Sequence, residues 1–156
     1  MKYTLLLVAM LSTSVFAGDL PDPKVTPGAI NPNVTQANIQ QTICVSGWTK
    51  TIRPPTTYTT KLKIQQLRAA GLRGTASEYE EDHLISLQLG GHPTDPANLW
   101  PQPWVTSSGW DARKKDVIET RLKRMVCTGK ISLADAQKEI ATDWMAAHTK
   151  YVPAKK

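Results

Sequence analysis

The 156-residue sequence has only two cysteines, three histidines and one phenylalanine, and each shortage narrows what the chain can be. Two cysteines allow one intramolecular pairing. They form no CxxC pair and have no companion histidine spacing, which argues against a zinc site. Long apolar runs are scarce as well: beyond Thr4 to Phe16 none approaches ~20 residues, the length a spanning helix needs, so no membrane span is expected. No internal repeat is visible and nothing suggests a second domain. The sequence also lacks a base-reading helix pair, a zinc finger or a stacked-aromatic RNA sheet, so any nucleic-acid contact should run through backbone phosphates with little sequence specificity.

Acidic residues are outnumbered by basic ones, 13 against 19, for a formal net charge of +6. That balance favours an anionic partner such as nucleic acid, although basic secreted proteins with other roles are common. The start, Met1-Lys2-Tyr3 followed by an apolar run and Val15-Phe16-Ala17, reads as a secretory signal peptide (residues 1–17) cleaved after Ala17. Export to the periplasm or beyond would place Cys44 and Cys127 in an oxidising compartment, where a disulfide is the default. Closing so long a loop stabilises a fold by ~4 to 5 kcal/mol in the chain-entropy model. Residues 18–41 are rich in Pro, Asn, Gln and Thr and read as an extended or partly disordered leader. Residues 42–156 are then one domain, taken as a monomer.

Within that domain, Thr59 or Thr60 is predicted to cap a helix through Leu62, Ile64, Leu67 and Ala70, ended by Gly71. Strands fit Tyr79 to Leu87 and a short piece near Asn98 to Trp100, joined by a long loop rather than a two-residue turn. A helix near Asp111 to Met125 places Ile118, Leu122, Met125 and Val126 on one stripe. Ser132 is predicted to cap a last helix whose buried face is Leu133, Ala136, Ile140 and Trp144. The fold class is α+β, a small hairpin wrapped by three helices.

The densest chemistry lies in Tyr79-Glu80-Glu81-Asp82-His83-Leu84-Ile85, followed by Gly90-Gly91 and by Pro96-Ala97-Asn98-Leu99-Trp100-Pro101. A carboxylate that can hold a divalent cation stands beside an imidazole that can take a proton from water, the minimum for metal-assisted phosphodiester hydrolysis. Adjacent strand residues point to opposite faces, so Asp82 and His83 reach one site only through a bend or bulge, or by flanking the hairpin on two sides. Glu80 and Glu81 are equally available carboxylates.

The order Asp-His, Gly-Gly, Asn-Leu resembles the HNH (ββα-metal) endonuclease superfamily over roughly Tyr79 to Cys127. Cys44-Val45-Ser46-Gly47-Trp48-Thr49 and Asn98-Leu99-Trp100-Pro101-Gln102 also resemble the wording of small secreted bacterial proteins with an HNH-type signature. The resemblance implies a ββα-metal core with additional helices, His83 as general base, Asp82 as metal ligand, and Asn98 holding a loop whose backbone carbonyl orients the histidine. It implies one divalent metal ion, Mg2+ first, with Mn2+, Ni2+ or Zn2+ as alternatives. The family's usual helix residue is a departure here, since no histidine lies between His92 and His148.

Helical geometry at ~100° per residue offers a replacement on the helix. With Ile118 at zero, the apolar stripe centres near about 25°, Lys115 lies near about 60°, Glu119 near about 100° and Asp116 near about 160°. Glu119 is therefore the expected second metal carboxylate, and Lys115, with Arg121, Lys123 and Arg124, the expected phosphate contacts; an ordinary surface ion pair between Lys115 and Glu119 is the plain alternative. Trp100, Trp104 and Trp110 can stack on bases, or pack a loop onto the core. The leading functional expectation is a secreted, metal-dependent endonuclease acting on DNA and conceivably RNA. The competing one is a non-catalytic nucleic-acid or envelope binding protein on the same scaffold.

Overall fold

Proline and glycine set the boundaries of the elements in a computed structural model that describes residues 19–72 and 74–153. The expected signal peptide and the expected mature start at Gly18 lie outside the described residues. After a short helix α1 (Trp48–Ile52), Pro55 at φ −60° starts α2 (Thr56–Ala69) earlier than the threonine caps suggest. Proline fixes the φ that a helix entry needs, so neither Thr59 nor Thr60 is required as a cap. Of the expected apolar face of α2, Leu67 is buried, whereas Ile64 is exposed.

The sheet is a single antiparallel hairpin. Strand β1 (Tyr79–His83) pairs with β2 (Leu99–Pro103) in unbroken register from Tyr79 opposite Pro103 to His83 opposite Leu99. Strand β1 stops at His83, not at Leu87, because Leu84 to Leu89 turn into the core: Ser86 caps a single 3-10 turn, Leu87–Leu89, by accepting the Gln88 N–H. Strand β2 starts one residue later than expected and runs on to Pro103, since Asp95 caps a second 3-10 turn, Pro96–Asn98, through the Ala97 N–H at 2.9 Å.

Helix α3 (Ala112–Cys127) begins at an Asp111 cap that accepts the Lys114 N–H, and buries Ile118, Leu122 and Val126. Helix α4 (Leu133–Tyr151) begins where Ser132 accepts the Asp135 N–H, and buries Leu133, Ala136, Ile140 and Trp144. Cys44 and Cys127 form a disulfide with Cα atoms 5.7 Å apart, tying the segment before α1 to the end of α3. The protein is thus an α+β fold with one disulfide. Among the described residues, no helix is long and apolar enough to cross a membrane.

The leader differs most from its sequence reading. From Asp19 onward it is packed: Val34 and Ile39 belong to the same core as Ile43, Ile85, Leu89 and the inner faces of α3 and α4. Its backbone is stitched to the loop between the strands. Gly28 N–H donates to Ala97 O, Asn31 N–H to Gly90 O, His92 N–H to Ala29 O, and Ile30 bridges Gly91. Composition misjudged this segment because its polar residues serve backbone pairing while a few aliphatic side chains do the burying.

Candidate functional site

Asn98 organises the loop that joins the two strands. Its amide is fully buried and makes four hydrogen bonds: Oδ1 accepts the Ile85 N–H (2.9 Å) and the Ala29 N–H (3.4 Å), and Nδ2 donates to Ile85 O (3.0 Å) and His92 O (3.1 Å). No other neutral side chain offers a donor pair and an acceptor at that reach. Gly91 must lie against this amide. An added Cβ there would collide with the Ile85 carbonyl oxygen and sit 2.8 Å from Asn98 Nδ2. His92 caps the same loop with Nδ1, which accepts the Asp95 N–H at 2.9 Å, so it is spent on structure.

The loop in turn holds the next carbonyl, Pro93 O, 2.9 Å from His83 Nε2. A carbonyl can only accept, so Nε2 carries the proton and the lone pair of a neutral His83 falls on Nδ1. Burial lowers the His83 pKa against the opposing pull of the Pro93 hydrogen bond, and the ring is therefore neutral near pH 7. This imidazole borders a cleft of about 410 Å³ between β1 and the α1–α2 junction, which Arg53, Thr59, Lys63, Glu81 and Trp104 also line. Glu81 shares the His83 face of the strand, two residues away. Burial pushes its carboxyl up to about 8, against the pull of Lys63, and neither of its buried oxygens has a hydrogen-bond partner among the described residues.

Asp82 turns to the other face, as a strand without a bulge requires. There its Oδ2 meets Lys115 Nζ at 2.6 Å. The same ammonium lies 2.6 Å from Glu119 Oε1 and 2.8 Å from His83 O, and Lys115 is fully buried. Two of its N–H groups donate to Glu119 Oε1 and His83 O, while Asp82 Oδ2 is held as an ion-pair contact. Burial works against the charge on Lys115, but Asp82 and Glu119 outweigh it and hold the pKa above the usual lysine range. Burial raises the Glu119 carboxyl above its usual range, the nearby Lys115 only partly opposing it. We take the pair as ionised, because the ammonium has carboxylate oxygens on two sides.

The residues expected from the sequence therefore divide into two groups on the two faces of β1. His83 and Asn98 are joined through the His92-Pro93 loop; Asp82, Lys115 and Glu119 form one buried cluster with α3. Lys115 is enclosed among Asp82, Glu119 and the His83 carbonyl and does not reach the surface where a phosphate would bind. Arg121 and Arg124 are not at either group: Arg121 Nε donates to Tyr151 O at 3.1 Å, and both residues border a surface recess with Val117 and Val152. Arg124 follows Lys115 by nine residues, about 180° round the helix. Lys123 is half-buried on the same helix. Trp100 is buried, and Trp110 packs edge-on against Trp144 at 5.6 Å, which leaves Trp104 as the tryptophan at the cleft. Sequence reasoning missed Arg53 and Lys63, which sit far from the motif along the chain and carry no local signal of their place beside His83.

No family model, curated protein or solved structure matches this chain. The geometry of the site itself therefore carries the reading. One test concerns the metal ion that the sequence resemblance implies between hairpin and helix. Oxygen ligands hold a small divalent ion at about 2.0 to 2.6 Å. At Asp82 and Glu119 that space is taken by the Lys115 ammonium, a permanent positive charge at 2.6 Å from both carboxylates. As they are arranged, these residues do not fit a metal ion, and among the described residues no group of three or more His, Cys, Asp or Glu side chains is set to hold one.

Proposed function

We propose that the chain is a phosphodiester hydrolase of the HNH type acting on nucleic acid. The observation that carries the reading is the relay from Asn98 through the His92-Pro93 backbone to His83 Nε2, which leaves Nδ1 as the basic nitrogen of a neutral imidazole beside a cleft that Arg53 and Lys63 help to line. The chain order of β1, β2 and α3 fits a ββα core. In the proposed reaction His83 Nδ1 takes a proton from the water whose oxygen bonds to phosphorus, the bond from phosphorus to the leaving sugar oxygen breaks and that oxygen takes a proton from solvent, and Arg53 with Lys63 neutralises the phosphate on which negative charge develops. Lys63 gives one N–H to Tyr79 O at 2.8 Å and retains two for an anion. Trp104 offers an aromatic face at the rim for a base or sugar. Contacts of this type read the phosphate backbone, so nucleic acid with little sequence preference is the expected substrate class.

The test is cleavage of supercoiled plasmid and of single-stranded DNA and RNA by the disulfide-bonded protein, with His83→Ala as control. Loss of cleavage with retained fold and binding supports the reading; equal cleavage by the variant removes His83 as the base.

The enclosed Lys115 favours a second reading, a nucleic-acid binding protein on an HNH-like scaffold that no longer cuts. Wild-type protein that binds DNA through the cleft yet leaves plasmid intact under every condition would select it.

A further inference from the structure

We propose that the Lys115 ammonium is the resident cation of the interface between the hairpin and α3, filling a three-oxygen site that binds a divalent metal only when Lys115 is removed. Three observations carry this. The acceptors Asp82 Oδ2, Glu119 Oε1 and His83 O converge on one nitrogen at 2.6, 2.6 and 2.8 Å, and such convergence of two carboxylates and a carbonyl is the donor set of a hard cation. The surroundings stay rich in negative charge around a single ammonium. Glu80 lies on the same strand face as Asp82, and Asp116 directly follows Lys115 on α3. Finally, Gln102, opposite Glu80 in the register and on that face, is 1 % exposed, and neither its Oε1 nor its Nε2 has a hydrogen-bond partner among the described residues.

An ammonium and a divalent ion exclude each other here, because both need the same oxygens and a like charge at contact distance is repelled in a site closed to water. Lysine thus confers a fixed charge that no chelator removes. The inference does not depend on the hydrolase reading, since its readouts involve no cleavage.

The experiment uses the full disulfide-bonded chain and MnCl2 alone as probe. Calorimetric titration and thermal unfolding are run on wild type, Lys115→Ala, and Lys115→Ala combined with Asp82→Asn. Wild type is expected to bind no Mn2+ in a manner sensitive to Asp82 or Glu119. Lys115→Ala should gain one Mn2+ site and recover several degrees of melting temperature in millimolar MnCl2, a gain that Asp82→Asn abolishes. Stoichiometric Mn2+ binding by wild type that Asp82→Asn and Glu119→Gln each weaken about ten-fold or more would overturn the proposal. So would a folded Lys115→Ala that is indifferent to Mn2+. The wild-type titration decides even if Lys115→Ala folds poorly.

Discussion

Replacing Asn98 by alanine removes an amide that joins three segments: the leader at Ala29, the end of β1 at Ile85, and the loop at His92. The Ile85 N–H and C=O both lie in the buried core and lose their side-chain partner, while the Ala29 bond is longer and counts for less. A buried backbone group left unsatisfied costs about 1 to 3 kcal/mol, and two such groups, less some relaxation, give an expected loss of about 3 to 5 kcal/mol. At about 3 to 5 °C per kcal/mol for a domain of this size, the melting temperature should fall by roughly 10 to 20 °C. Asn98→Asp should not rescue it, since a carboxylate restores the acceptor for Ile85 N–H but faces the carbonyls of Ile85 and His92 without a donor. Guanidinium unfolding of the oxidised protein, with thermal melts in parallel, reads the loss. A change below ~1 kcal/mol at unaltered m-value would show that the amide is not what pins the loop, and with it the argument that Asn98 orients His83 would fall.

Four further outcomes follow from the same geometry. Removing the Cys44–Cys127 bridge by a double serine substitution should cost up to about 4.5 kcal/mol in the chain-entropy model for a separation of 83 residues, measured by denaturant unfolding; no loss would mean the linked segments are held by packing alone. Lys115→Ala should lower stability by ~3 to 5 kcal/mol through two buried carboxylates left without their counter-charge, and a loss within ±0.5 kcal/mol would contradict the buried ion pair. Burial raises the Glu81 carboxyl to about 8, so the folded state holds a proton that the unfolded state releases; the resulting stability is full below about pH 4.5 and is lost as pH rises to about 8, and Glu81→Gln should flatten that slope in melts across pH 4 to 9. Arg53→Ala and Lys63→Ala should each reduce the salt slope of DNA binding by ~1, with Arg124→Ala changing it less; the reverse ranking would place the nucleic acid on the outer face of α3.

Much of this was legible locally. The Ser132 cap, the stripe of Ile118, Leu122 and Val126, and the Asp-His dipeptide beside Gly-Gly and Asn are short-range signals, and the structure places caps, buried face and loop at those residues. The single cysteine pair left one pairing to consider. Lys115 shows where such reasoning turned: its helical angle put it closer to the apolar stripe than Glu119, a sign of burial, yet its charge suggested a phosphate. The buried outcome needed Asp82 on a distant strand to supply the counter-charge. Arg53 and Lys63 reach the His83 cleft only through the packing of α2 on the hairpin, and the leader is ordered by backbone bonds to residues 90–98, neither of which leaves a periodic trace in sequence.

Single-turnover cleavage of plasmid DNA by wild type and His83→Ala, each with and without EDTA, decides whether His83 is the base of a nucleic-acid hydrolase. Expected are cleavage by wild type that persists in EDTA, a fall of ~10² or more in rate for a His83→Ala protein that still folds and binds DNA, and an acidic limb in the wild-type pH profile on which activity falls as His83 protonates below its lowered pKa. Equal rates for the two proteins, or a wild-type protein that binds DNA and never cuts it, would contradict that role for His83.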